Sequence, residues 1–335
     1  MAAAQREIGG TMGKPHYSEK QNKKASGTKL RDLKKAQEFA VYEPPNADKL
    51  KVARVFVNFG IESGVELDGQ LIRVANRRQF PTVAGDLVYT DGKVVEGIKP
   101  RGKTLARFAD EGGVRLIASN LDQVVLVISA STPPLHEGFV DRYLVYCRIM
   151  EIPLAIFLNK MDEPEEGIVE RMKPFQDAGV DVYLMSATLD RGLKAARKRL
   201  ERGITVLSGL SGVGKSTLIN AMLGEDIPVQ EVSAATKRGR HTTTAAEAYK
   251  LGDTLLIDTP GIKKFGFIGI APTEIIKGFP EFAEYAAECK YEDCLHLNER
   301  GCAVRAAVEE GRIDERRFGS YQDLVLGVME DQKPR

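Results

Sequence analysis

The chain has 335 residues, long enough for two or three domains, and its 48 basic and 47 acidic side chains leave a net charge of +1. That balance excludes a simple polycation that coats nucleic acid, so any basic surface must be local. The longest apolar runs are only five residues, such as Val124 to Ile128, and the first thirty residues hold no apolar signal core; no segment is predicted to span a bilayer or direct export, which places the chain in the cytoplasm without a membrane partner.

Residues 1–48 read as a disordered basic tail. They carry Gly9-Gly10, Lys23-Lys24, Lys34-Lys35 and, near the end, Pro44-Pro45, with little apolar periodicity before Phe39. Such a segment buries too little surface to offset its ordering entropy. It is either a solvated tail or an arm for phosphate backbones.

Residues 49–118 turn to short β-rich runs at Val52 to Phe59, Val65 to Leu67, Leu71 to Val74, Leu87 to Tyr89 and Val94 to Ile98. Asp68-Gly69 and Asp91-Gly92 fall between such runs, and Asp-Gly suits a type I′ hairpin because both central residues need positive φ. Five short strands predict a small OB-like barrel. Arg73, Arg77, Arg78, Lys99, Arg101, Lys103 and Arg107 make it basic, which suits RNA but does not establish it.

From about residue 119 the rhythm becomes βα. Buried strands are predicted at Gln123 to Ala130, Pro153 to Leu158, Asp181 to Met185, Ile204 to Leu207 and Thr254 to Ile257, with a helix over Glu137 to Met150. This alternation predicts an α/β fold with a mostly parallel, doubly wound sheet over 119–270, and ligands at the carboxyl ends of its strands. Residues 271–335 read as helical: Thr273 is placed to cap a first short helix, and Glu281 to Cys289, Ala303 to Gly311 and Tyr321 to Met329 follow.

The motifs fall at those strand ends. Gly209-Leu210-Ser211-Gly212-Val213-Gly214-Lys215-Ser216 follows one strand, and a helix opens at Thr217. This is the context a P-loop requires: glycines that let backbone N–H groups converge on phosphate, a lysine for the β- and γ-phosphates, and a serine for Mg²⁺. Asp258-Thr259-Pro260-Gly261 ends the next. There a carboxylate suits Mg²⁺ and Gly261 lets the backbone approach a γ-phosphate. Asn159-Lys160-Met161-Asp162 ends a third, where Asp162 can accept two N–H donors from a guanine edge and Asn159 can supply an amide. Ser186-Ala187 ends a fourth and could place a backbone N–H near the guanine carbonyl. Cys289, Cys294, His296 and Cys302 lie within fourteen residues. Three thiols and an imidazole make a closed tetrahedral Zn²⁺ shell, which is structural rather than catalytic. Cys147 reads as a small buried hydrophobe.

Together NKMD, SA, a P-loop and DTPG resemble the signature of translation-factor-class GTPases. The base-reading motifs here precede the P-loop, the order of the circularly permuted GTPases. With a barrel in front, a Cys/His cluster behind and the phrase His241-Thr242-Thr243-Thr244, the chain resembles the ribosome small-subunit-dependent GTPase A family over roughly residues 50–310. The resemblance implies a GTPase, a monomer, that binds the small ribosomal subunit and its rRNA during late maturation. GTP would sit on Asn159, Lys160, Met161, Asp162, Ser186, Ala187, the residues Gly209 to Thr217, Asp258 and Gly261. It implies one structural Zn²⁺ on the Cys/His cluster, and Mg²⁺ held with GTP by Ser216, Asp258 and a switch threonine, Thr243 rather than Thr242. Ile262 stands where other GTPases often carry a water-orienting Gln, so intrinsic turnover is expected to be slow. His241 then either orients water, beside Lys215 and Thr243 as the catalytic set, or is a solvated side chain in a basic loop. Two other functions fit the residues: a regulatory GTPase acting on another RNA or a protein, and an RNA-binding module with a vestigial GTP site. Intact Lys215, Ser216 and Asp258 argue against the second.

Overall fold

A computed structural model describes residues 41–108, 114–201, 203–223, 246–259 and 270–331. The first strand, β1 (Lys51–Asn58), pairs antiparallel with β2 (Glu62–Leu67), and β2 with β3 (Gln70–Ala75). On its other side β1 pairs with β4 (Leu87–Thr90), β4 pairs with β5 (Val95–Ile98), and a bridge from Ala75 to Val94 closes the ring. Ala53, Val55, Val65, Val74, Phe80, Val88, Val95 and Ile98 fill the barrel. Along β1 the side chains alternate, so Val55 enters the barrel and Phe56 enters the core of the next unit.

The two Asp-Gly pairs differ. Asp68 and Gly69 both have positive φ, 51° and 77°, as the type I′ hairpin requires. At Asp91-Gly92 only the glycine does. Asp91 instead turns the chain with its side chain, accepting the N–H groups of Lys93 and Val94 at 2.8 and 2.9 Å.

Residues 41–48, read as the end of the tail, are seated on the barrel. Tyr42 N–H donates to Ile98 O at 2.9 Å, the Tyr42 ring stacks on Phe80, and Ala47–Lys49 form a 3₁₀ turn. Barrel charge is also less free than composition implies. Arg101, buried, bonds both oxygens of buried Asp86, while Arg73 and Arg77 pair with Glu62 and Glu96. The exposed pairs are weak and can exchange for phosphate; the buried one cannot. A ribbon of β6 (Leu105–Phe108) and β7 (Val114–Ala118), which composition assigned to the barrel, forms a separate sheet. Leu105 and Ala118 bury themselves in the core of the α/β unit.

That unit carries β8 (Gln123–Ser129), β9 (Leu154–Asn159), β10 (Asp181–Leu184), β11 (Ile204–Ser208), β12 (Glu247–Leu251) and β13 (Thr254–Asp258), in spatial order β10-β9-β8-β11-β13-β12. All pairs are parallel except β12 with β13. The sequence pattern missed β12; its outer end pairs with β1 at Val57 and Glu247 and joins the barrel to the sheet. Helix α1 (Glu137–Ile149) and the short α2 (Lys173–Asp177) cover one face, α3 (Leu193–Leu200) and α4 (Lys215–Leu223) the other. β8 shows both faces at once, with Val124, Leu126 and Ile128 toward α1, and Val125 and Val127 toward α4.

The C-terminal elements are a 3₁₀ helix at Pro272–Gly278, α5 (Ala283–Ala286), α6 (Ala303–Glu309) and α7 (Glu315–Asp331). Thr273 does not cap: it lies inside the 3₁₀ helix, where Pro272 starts the turn and Glu274 accepts the Ala271 N–H at 3.0 Å. Helix α7 starts six residues earlier than the apolar pattern suggests because the Asp314 carboxylate accepts the Arg317 N–H at 2.8 Å. This segment shares the core of the α/β unit. Phe279, Phe282, Phe318 and Tyr321 form one aromatic cluster with it, and Gly278 lies so close to α1 that an added Cβ would stand 2.3 Å from Val145 Cγ2. Arg317, 1% exposed, bonds Asp141 of α1, Glu281 at 2.7 Å and Gly278 O at 3.2 Å, with its guanidinium 4.3 Å above the Phe279 ring. Among the described residues no helix is long and apolar enough to cross a membrane.

Candidate functional site

The loop 209–214 runs from the end of β11 to the first turn of α4. Gly209 has φ 151° and Gly214 φ 95°. A Cβ on Gly209 would lie 2.2 Å from Val127 O, and one on Gly214 2.4 Å from Asn159 Nδ2. Only glycine lets the loop pass this close to β8 and β9. Val213 is buried beneath it; Ser216 and Thr217 are exposed on the first turn of α4. Lys215 is buried, and its ammonium folds back on the loop to donate to Gly209 O at 2.9 Å and Leu210 O at 3.0 Å. Burial pulls its pKa down, and Asp258 opposes that pull.

Asp258 ends β13, paired in register with Leu207 of β11. Burial pushes its carboxyl up to about 6 against the lowering effect of Lys215, and Glu247 on β12 adds to the rise. Its Oδ1 is buried with no hydrogen-bond partner among the described residues. A buried carboxylate oxygen without a partner near a lysine, itself followed by an exposed serine, fits a cation bound with an anionic ligand.

Asn159 ends β9 and is 2% exposed. Its Nδ2 donates to Val213 O at 3.0 Å and its Oδ1 accepts the Ala187 N–H at 3.0 Å. Both amide ends and the Ala187 N–H, read from sequence as groups for a base, are thus engaged by the protein. Asn159 ties the phosphate loop to the loop after β10. Lys160, at φ 65°, donates to Thr132 O at 2.6 Å, and Met161 N–H donates to Met185 O at 3.0 Å. Asp162 stays exposed, and a bond from the buried Ser186 hydroxyl holds its carboxyl below the ordinary value. It is a fixed anionic acceptor at neutral pH. His241, Thr242, Thr243, Pro260, Gly261 and Ile262 lie outside the described residues.

The second cluster sits between α5 and α6. Donor atoms of Cys289, Cys294, His296 and Cys302 all lie within 4.8 Å of one another. His296 Nδ1 is 3.5 Å from Cys289 Sγ and 3.4 Å from Cys302 Sγ, and those two sulfurs are 4.0 Å apart. A tetrahedral Zn²⁺ with bonds of about 2.3 Å to sulfur and about 2.0 Å to nitrogen needs edges of about 3.8 and about 3.5 Å. The donor set fits. Burial raises the Cys294 and Cys302 thiols and lowers His296, so thiolates here require a cation while the imidazole is already neutral. Glu299 fixes the intervening turn by accepting the N–H groups of Leu295, Leu297 and Asn298 at 3.1, 2.8 and 3.0 Å.

Sequence reasoning missed a group behind the phosphate loop. Tyr143 Oη of α1 lies 2.6 Å from Ser208 Oγ, and Thr259 Oγ1 donates to Leu207 O at 3.0 Å and lies 3.3 Å from Ser208 Oγ. Nothing in the sequence distinguishes these hydroxyls from ordinary residues of a strand end or an apolar helix face.

A family model described as RsgA GTPase matches residues 98–268. The structure is similar to the crystal structure of YjeQ from Thermotoga maritima, with 26% sequence identity and a TM-score of 0.64 over 84% of this chain and 99% of that one. It is similar also to YloQ, a circularly permuted GTPase, with 26% identity and a TM-score of 0.63 over 88% of this chain and all of that one.

Proposed function

The chain belongs to the RsgA GTPase family, a ribosome-assembly GTPase, and from that premise we propose that it binds the small ribosomal subunit late in maturation and that the subunit stimulates a slow intrinsic hydrolysis of GTP. The observation that carries the site assignment is the Asn159 bridge, which reaches across the end of β8 to tie the phosphate loop after β11 to the strand end of β9 that leads into Asp162. Asp162 accepts the two N–H groups of the guanine edge, with Lys160, Met161, Ser186 and Ala187 around the base. Loop N–H groups from Gly209 to Gly214 and the first turn at Ser216 and Thr217 receive the phosphates, and Lys215 exchanges its two carbonyl partners for β- and γ-phosphate oxygens. Ser216 and Asp258 would hold Mg²⁺, with Thr243 from outside the described residues, and the Gly261 backbone would meet the γ-phosphate. When bound, Mg²⁺ neutralises charge that develops on the phosphates. Ile262 cannot orient water, so His241 takes that part and turnover waits on its placement. Cys289, Cys294, His296 and Cys302 would hold one Zn²⁺, which would fix the turn between α5 and α6.

The family supports the subunit as partner, and so do the exposed barrel cations Arg73, Arg77 and Arg78, which suit an RNA backbone. Co-sedimentation with purified small subunits in GDP, GTP and a non-hydrolysable analogue, at graded salt, tests this. Tighter binding with the analogue and steep weakening with salt are expected. Equal binding in every nucleotide state would overturn the partner.

A further inference from the structure

Three hydroxyls lie in a row behind the phosphate loop, on Tyr143, Ser208 and Thr259, each 0% exposed. A phenylalanine at 143 would fill the same space, so what the tyrosine adds there is hydrogen bonding. Its Oη meets Ser208 Oγ at 2.6 Å, one residue before Gly209. Ser208 Oγ meets Thr259 Oγ1 at 3.3 Å, one residue after Asp258, and the Thr259 N–H returns to Leu207 O at 3.2 Å. The row therefore stitches the last residue of β11 to the first residue beyond β13. These are the two strand ends that present the phosphate loop and the unpartnered carboxylate oxygen of Asp258. Helix α1 holds the other end. Two residues before Tyr143, Asp141 receives Arg317 of α7; two residues after it, Val145 packs on Gly278. One helix thus touches the C-terminal segment on its outer side and the nucleotide-facing strand ends on its inner side.

We propose that Tyr143 is a positioning residue for GTP hydrolysis, acting through Ser208 and Thr259 to set Asp258 against the phosphate loop. The inference rests on the assignment of Asp258 to the magnesium side of the site. Loss of the row loosens the grip on Mg²⁺-bound nucleotide and leaves the metal-free nucleotide contacts alone.

The experiment uses full-length Tyr143→Phe, Thr259→Val and Thr259→Ser, with Ser208→Ala entering the row at a second point should Tyr143→Phe fold poorly. Three quantities are read: kcat and KM for GTP, the Mg²⁺ concentration at half-maximal turnover, and the release rate of fluorescent GDP in Mg²⁺ and in EDTA. Tyr143→Phe and Thr259→Val should each raise the Mg²⁺ half-point and speed GDP release in Mg²⁺ by about fivefold, the factor of one hydrogen bond. Release in EDTA should stay as in the wild type. Thr259→Ser, which keeps the hydroxyl, should restore wild-type values, and the Tyr143→Phe/Thr259→Val double variant should be no worse than either single. A Tyr143→Phe protein that melts earlier but keeps the wild-type Mg²⁺ half-point and release rate would overturn the proposal and leave a purely structural phenol. Asp258→Asn separates the two failures. If it shifts the half-point and Tyr143→Phe does not, this inference alone falls; if Asp258→Asn shifts nothing, the assignment of Asp258 falls and takes the inference with it.

Discussion

Replacing Asn159 should disable the site without touching a phosphate. Its amide makes two bonds of 3.0 Å, one to Val213 O in the phosphate loop and one from the Ala187 N–H. In Asn159→Ala both partners lose their bond at a position where the parent side chain is 2% exposed. An unsatisfied buried group costs about 1–3 kcal/mol. The Ala187 end is partly open to water, so a total of about 2–4 kcal/mol is expected. The side chain also abuts the loop, its Nδ2 only 2.4 Å from where a Cβ on Gly214 would be, so its loss frees the loop to sag toward β9. If a third to a half of the cost appears in binding, GTP affinity falls about tenfold, since about 1.4 kcal/mol is one decade. Asn159→Asp sharpens the test. It keeps the acceptor for Ala187 but turns a carboxylate oxygen toward Val213 O, so loop binding should suffer more than the Ala187 contact does. Denaturant unfolding of the nucleotide-free protein and titration with fluorescent GTP at saturating Mg²⁺ measure both effects. An Asn159→Ala protein with wild-type stability and wild-type GTP affinity would refute the bridge.

Arg317→Ala should cost about 3 kcal/mol by leaving buried Asp141 with only the longer Arg316 contact at 3.5 Å, whereas Arg317→Met with Asp141→Leu should recover much of it; urea unfolding distinguishes them. Chelation of a zinc-loaded preparation should lower the melting temperature and speed amide exchange over 289–302, while the aromatic cluster of Phe279, Phe282, Phe318 and Tyr321 keeps α7 docked. Loss of α7 protection at the same rate would show that the metal, and not the shared core, holds the segment. Burial holds the Asp258 carboxyl at about 6, above its ordinary 3.8. The folded, nucleotide-free protein therefore keeps a proton that the unfolded chain has lost, and stability should fall by up to about 3 kcal/mol as pH rises through that window. Asp258→Asn should flatten this slope in melts run without Mg²⁺; an unchanged slope would assign it to another group.

The legible parts of the molecule were those where local pattern and tertiary role coincide. β9 and β11 are buried throughout, so an apolar run followed at once by a polar motif marks both the strand and its carboxyl end. The Cys/His cluster is compact in sequence and in space alike. What stayed hidden depends on partners far along the chain. Glu247 to Leu251 carries no clear alternation and is a strand because it pairs along its length with β13 and at Glu247 with β1. Arg101 counts as surface charge in composition, yet it is sealed against Asp86. Asp91-Gly92 looks like Asp68-Gly69 until the Asp91 carboxylate is seen to make the turn itself. Asn159 was legible as a site residue but not as a bridge, because Val213 and Ala187 lie 54 and 28 residues away. Tyr143, in an apolar helix, gave no sign of the hydroxyl row it completes.

The central claim is a GTPase whose turnover depends on the small ribosomal subunit. Single-turnover and steady-state GTP hydrolysis by the zinc-loaded full chain, with and without purified small subunits, tests it most directly, with large subunits and free RNA as controls. Slow hydrolysis alone, strong acceleration by small subunits and none by the controls is the predicted result. Rates that small subunits leave unchanged, or that free RNA raises equally, would contradict it.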